Sequence, residues 1–81
     1  MTKEELLVQV SDIIREEFDD NDIEITCETT AADVNGWDSL AHISLMHEIE
    51  RHFKIKFTLG EIQGFKNVGE LVESVDKHLA G

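Results

Sequence analysis

Gly36-Trp37-Asp38-Ser39-Leu40 ends a long acidic stretch, and the residues that follow, Leu40 to Phe53, carry apolar side chains at helical spacing. Asp38 and Ser39 therefore stand where a helix N-terminus begins. A serine or aspartate at that point accepts hydrogen bonds from the free amides of the first turn. The same amides and the positive end of the helix dipole also favour an anion, so a serine there is a good place to hold a phosphodiester. Gly36 permits a tight turn just before it. On these residues alone, Ser39 is either an ordinary cap or a hydroxyl displayed for modification.

Working outward, the helix of residues 39–53 has two stripes. At about 100° per residue, His42, Leu45, Met46, Ile49 and Phe53 share one sector, the natural core face. Leu40, Ile43 and His47 form a second stripe beside Ser39. A domain of 81 residues has little mass to bury both stripes. The second stripe is therefore read as a docking face.

Upstream, Thr2-Lys3-Glu4-Glu5 fits a capping box, and Leu6, Val10, Ile13 and Ile14 repeat at the helical period. These predict a helix from about Thr2 to Glu17, although Glu16 and Glu17 are poorly matched to the dipole at its end. Residues 19–38 are the longest irregular stretch. Asp19-Asp20-Asn21-Asp22 is turn chemistry, and Thr30-Ala31-Ala32-Asp33 suits one short helical turn. The expected apolar anchors are Ile23, Ile25, Val34 and Trp37. Downstream, Leu59 to Gln63 predicts a short helix held down by Leu59 and Ile62 and ended by Gly64. Asn67-Val68-Gly69-Glu70 is a second capping-box-like start, and Val68, Leu71, Val72, Val75 and Leu79 carry a last helix to Ala80. The expected fold is all-α: a small four-helix bundle, three main helices and one short one, with a long loop between the first and second. Residues 1–81 are expected to form one domain.

The net charge is −11, and it is unevenly spread. Residues 1–38 set Lys3 and Arg15 against twelve carboxylates, while residues 39–81 are nearly balanced, five basic against six acidic. Such a surface repels phosphate backbones, so nucleic acid is not an expected partner. It gives solubility and would steer basic protein surfaces. No apolar run approaches the ~18 residues of a membrane span. The first residues lack signal-peptide order, and the single cysteine, Cys27, makes no internal disulfide, so a soluble cytoplasmic protein is expected. Cys27 is read as a small half-buried residue.

Catalytic and metal chemistry find no constellation. His42 follows Ser39 by three, but no carboxylate is placed to orient it. His42, His47 and His52 are spaced by five, which spreads them around a helix instead of stacking them as ligands. Asp20, Asp22 and Glu24 begin like a calcium loop, yet Ile25 stands at its glycine position and Ala31 at its closing glutamate.

With its Asp38-Ser39-Leu40 motif, helix pattern, length and acidity, the whole chain resembles the acyl carrier proteins of the phosphopantetheine-carrying superfamily. The resemblance implies that the chain is not an enzyme. It implies that Ser39, flanked by Asp38, carries 4′-phosphopantetheine from coenzyme A, with acyl groups held on it as thioesters. It implies a phosphopantetheinyl transferase (holo-synthase) and acyl-activating and acyl-transferring enzymes as partners of a monomer, with Leu40, Ile43 and His47 at docking positions. It also suggests that Leu45, Met46, Ile49, Ile62, Val68, Leu71 and Val72 line any acyl pocket. Carriers of bacterial fatty acid synthesis usually have an acid after the triplet and more acids down the helix. Here stand Ala41, His42, His47, Arg51 and His52, with Trp37 replacing a small residue and Thr58-Leu59-Gly60 where a proline is usual. These departures suggest a specialised carrier, for lipid, lipopolysaccharide or polyketide pathways. Aminoacyl or peptidyl carriers, and a docking module without an arm, are the alternatives within the same fold.

Overall fold

The computed structural model describes residues 2–20 and 22–80. Among them are four α-helices: α1 Lys3–Glu17, α2 Ser39–Phe53, α3 Leu59–Gly64 and α4 Val68–Ala80. The expected all-α fold and the helix limits match closely. Asn21, expected in a turn, lies outside the described residues.

Helices α1, α3 and α4 start where nearby groups accept from their first amides. Thr2 caps α1 through a full capping box with Glu5, and Thr58 does the same for α3 with Glu61. At α4 the box is only half made: Asn67 Oδ1 accepts from the Glu70 amide at 2.9 Å, but the Glu70 carboxylate turns to the Lys66 amide. The remaining α4 amides are met by the segment between α1 and α2. Val68 N donates to the Thr29 carbonyl at 2.9 Å and Gly69 N to the Cys27 carbonyl at 2.8 Å.

The end of α1, poorly matched to the dipole, is set by backbone geometry instead. Asp19 is left-handed (φ 51°), and the Asp20 and Asp19 amides reach back to the Arg15 and Glu16 carbonyls, a Schellman closure without glycine. Lys54 (φ 57°) ends α2 in a similar way, letting the Ile55 amide meet the Glu50 carbonyl at 3.0 Å.

α1 packs against both α2 and α4. Leu6, Val10 and Ile14, four apart and hence on one face, meet Leu45, Met46 and Ile49 of α2 and Val68, Leu71, Val72 and Val75 of α4, all essentially buried. Burying each such side chain contributes roughly 1.5–3 kcal/mol, the term that offsets chain entropy. Ile25 and Val34 anchor the irregular segment as buried residues, with Ile23 and Trp37 half-buried. It contains a 3-10 turn, Ala31–Asp33, where the Asp33 carboxylate accepts from both the amide and the hydroxyl of Thr30.

Two expectations are corrected. The Cys27 side chain is exposed rather than half-buried, because its role is played by its carbonyl, which points to α4. Leu59 does not hold α3 down: it is 67% exposed, and Ile62 faces the bundle instead.

Candidate carrier site

Gly36, at φ 90°, turns the chain into α2, a conformation that other residues adopt only with strain. Asp38 is then extended and becomes the N-cap. Its Oδ1 accepts from the Ala41 amide at 2.9 Å, and its carbonyl accepts from the His42 amide at 2.9 Å. Ser39 is the first helical residue and is exposed. Among the described residues its hydroxyl makes no hydrogen bond. The Ser39 and Leu40 amides belong to the first turn, where helix geometry offers no carbonyl partner. Capping therefore falls to Asp38, and Ser39 presents an unengaged hydroxyl beside free amides.

The three residues of the second stripe lie beside it. Leu40 is 81% exposed, Ile43 46%, and His47 is exposed. Leu59, across on α3, adds to this apolar surface, and the alternation of α2 could not have revealed it. The two acids of α2 are both engaged. Glu48 pairs with Arg51 at 3.2 Å, and Glu50 accepts from the Phe57 amide at 2.7 Å.

A groove of about 650 Å³ opens next to Ser39 between α2 and α3. Its apolar wall is Trp37, Ile43, Leu59, Ile62, Phe65 and Leu71, and its rim carries Asp38, His47, Gln63, Lys66 and Asn67. Of the residues expected to line an acyl pocket, only Ile62 and Leu71 do so. Leu45, Met46, Ile49, Val68 and Val72 are at most 2% exposed, interdigitated with α1 in the core. His42 lies on the groove wall with both ring nitrogens engaged: Trp37 Nε1–H donates to Nδ1 at 3.0 Å, and Nε2 meets the Ile62 carbonyl at 2.7 Å.

Behind α3 a second polar cluster joins it to α4. The Ser74 hydroxyl donates to Glu61 at 2.6 Å, and His78 Nε2 lies 3.0 Å from the same oxygen. The Ser74 hydroxyl, the Thr58 amide and then His78 hold the Glu61 carboxyl down to about 2. Serine and histidine both address the carboxylate here and not each other, so the cluster braces helices and activates no nucleophile.

The family model described as "phosphopantetheine attachment site" matches residues 8–75. The chain belongs to that family. Members of the family are carriers and not catalysts, and the group they carry is a covalently attached 4′-phosphopantetheine. The chain is 36% identical over 76 residues to an acyl carrier protein of Amoebophilus asiaticus, covering 94% of this chain and 95% of the relative. It is 33% identical over 76 residues to one of Exiguobacterium sibiricum, covering 94% and 96%. Among solved structures it is similar to a holo acyl carrier protein from Geobacter metallireducens, with TM-score 0.87 and 51% identity over 93% of this chain and 86% of the other. The residues fit the family's group: an exposed, unengaged serine hydroxyl at a helix N-terminus, beside a largely apolar groove.

Proposed function

We propose that Ser39 is the attachment point of the 4′-phosphopantetheine arm and that residues 1–81 act as one carrier domain, presenting acyl thioesters to partner enzymes. The observation that carries this is the division of labour at α2: Asp38 caps, and Ser39 does not. A phosphodiester on Ser39 Oγ would meet the free Ser39 and Leu40 amides and the positive end of α2. Asp38 sets the helix start and so aims the hydroxyl outward. The arm supplies a thiol for thioester formation; the protein supplies tether, orientation and a local excess of substrate at each partner.

Leu40, Ile43 and His47 are the proposed docking residues. Because Glu50 is engaged by the Phe57 amide and Glu48 lies beside Arg51, α2 offers little free acidity, and recognition along it is read as mainly apolar. That, with Ala41, His42 and His52 on the same helix, supports a specialised pathway over general fatty acid synthesis. The partners so read are a phosphopantetheinyl transferase, acyl-activating enzymes and acyl-transferring enzymes, met in the cytoplasm by a monomer. No described helix is long and apolar enough to cross a membrane.

The test is direct. Unmodified protein, incubated with coenzyme A, magnesium and a broad-range phosphopantetheinyl transferase, should gain about 340 Da, as expected for this covalent modification. Ser39→Ala should gain nothing. No gain in the unaltered chain would favour a docking module without an arm, and a gain surviving Ser39→Ala would place the arm elsewhere. Loading with acyl- against aminoacyl-activating enzymes separates acyl from aminoacyl carriage.

A further inference from the structure

α3 is the shortest α-helix among the described residues. It has six residues, too few for stability on its own, and none of them is buried. Its N-terminus is satisfied by Thr58 and Glu61. Its C-terminus has no such local closure. Phe65, which follows it, is extended and donates no capping bond. The last-turn carbonyls, Ile62 among them, have no partner inside the helix.

One of those carbonyls is met from another helix. An indole N–H can only donate, so the Trp37–His42 bond fixes His42 Nδ1 as an acceptor. The proton of the neutral ring then sits on Nε2 and donates to the Ile62 carbonyl at 2.7 Å. Trp37 is itself held by Phe18, ring centroids 5.6 Å apart, and lies edge to edge with the His42 ring, centroids 6.0 Å apart and planes at 26°. A chain of contacts thus runs from the end of α1, through the turn before Ser39 and across α2, to the far end of α3.

We propose that His42 is a positioning residue: as its neutral Nε2–H form it bolts α3 to α2 and sets the width of the groove beside Ser39. Ile62 and Phe65 move with the carbonyl that His42 holds, so the room available to an acyl group depends on that bond. The cargo half of this proposal rests on Ser39 carrying the arm; the bolt itself does not.

The experiment begins on the unmodified protein, with amide hydrogen exchange at Ile62, whose N–H is bonded to the Thr58 carbonyl. His42→Phe keeps a ring and removes both hydrogen bonds. It should speed exchange at Ile62 about tenfold, the scale of one lost hydrogen bond, with Val10 and Ile14 of α1 unchanged. His42→Gln, which can still donate to Ile62, should restore most of the protection. Exchange at Ile62 within about twofold of the unaltered chain overturns the bolt, and so does an equal acceleration in α1, which marks an ordinary loss of stability. Should His42→Phe not fold, His42→Leu carries the same test by removing the donor to Ile62: several-fold faster exchange at Ile62 alone is expected, and none overturns the proposal.

The second arm loads octanoyl-phosphopantetheine and follows cleavage of the thioester by hydroxylamine. Faster cleavage in His42→Phe is expected, and equal rates overturn the cargo half. A transferase reaction that adds no mass at Ser39 refutes the attachment reading and leaves the exchange result standing.

Discussion

Gly69→Ala should destabilise the fold, against the usual rule for helices. Gly69 is the second residue of α4, where alanine is ordinarily better by about 1 kcal/mol. An added Cβ would lie 2.9 Å from the Cys27 carbonyl oxygen, 3.1 Å from Cys27 Cβ and 3.3 Å from Asn67 Oδ1. The first two cannot move cheaply. That same carbonyl accepts the Gly69 amide at 2.8 Å, and the neighbouring Thr29 carbonyl accepts from Val68. Relieving the clash means pushing the segment off α4. The cost is one or two backbone hydrogen bonds at about 1 kcal/mol each, plus overpacking strain of about 1–3 kcal/mol. Set against the propensity gain, the net loss is about 1–4 kcal/mol. Gly64→Ala is the internal control. Nothing lies within 4 Å of its added Cβ, and stability should rise by roughly 0.5–1 kcal/mol. Urea unfolding followed by circular dichroism reads both through the midpoint at constant slope. A Gly69→Ala protein as stable as the unaltered chain would refute the close approach of the segment to α4.

Three further outcomes are expected. Asp38→Ala should cost about 1 kcal/mol as a lost cap, while Ser39→Ala stays within about 0.5 kcal/mol; equal losses in thermal melts would show that both residues cap. Glu61, held down to about 2 from 4.5 by Ser74, Thr58 and His78, contributes stability that is present above pH 4.5 and lost as pH falls toward 2; urea midpoints between pH 7 and 2 should fall less steeply for Glu61→Gln, and parallel curves would remove that role. Ile43→Glu, at a site 46% exposed, should leave the melt within about 0.5 kcal/mol while weakening turnover by partner enzymes; a large loss of stability would assign Ile43 to the core.

What could be read in the chain alone followed from local chemistry. Capping residues and 3.6-residue periodicity are properties of neighbours, so the limits of α2 and the start of α4 were visible from Ser39, Asn67 and the apolar spacing. The division between Asp38 and Ser39 was not, because both residue types cap and only the backbone decides which stands first. The bonds of His42 to Ile62, Ser74 to Glu61 and His78 to Glu61 cross 20, 13 and 17 residues, and no periodicity encodes such pairs. The outward setting of Leu59 is hidden in the sequence for a related reason: in a helix of under two turns the pattern is too short to say which side faces inward. Residues on a core-facing sector need not line a space: close packing with α1 leaves none around Leu45, Met46 and Ile49, and the groove lies one stripe over.

Asp38's cap has a consequence for the life of the molecule after it folds. A hydroxyl that makes no hydrogen bond in the fold can be esterified without breaking one, and a phosphodiester at the proposed site would add the attraction of an anion to the free amides and dipole of α2. Had Ser39 been the cap, every addition or removal of a group would have loosened α2 at its most exposed end. With Asp38 in that role, the modified chain should melt no lower than the unmodified one. The arm proposed at Ser39 can then be gained and lost without unmaking the cap that starts α2.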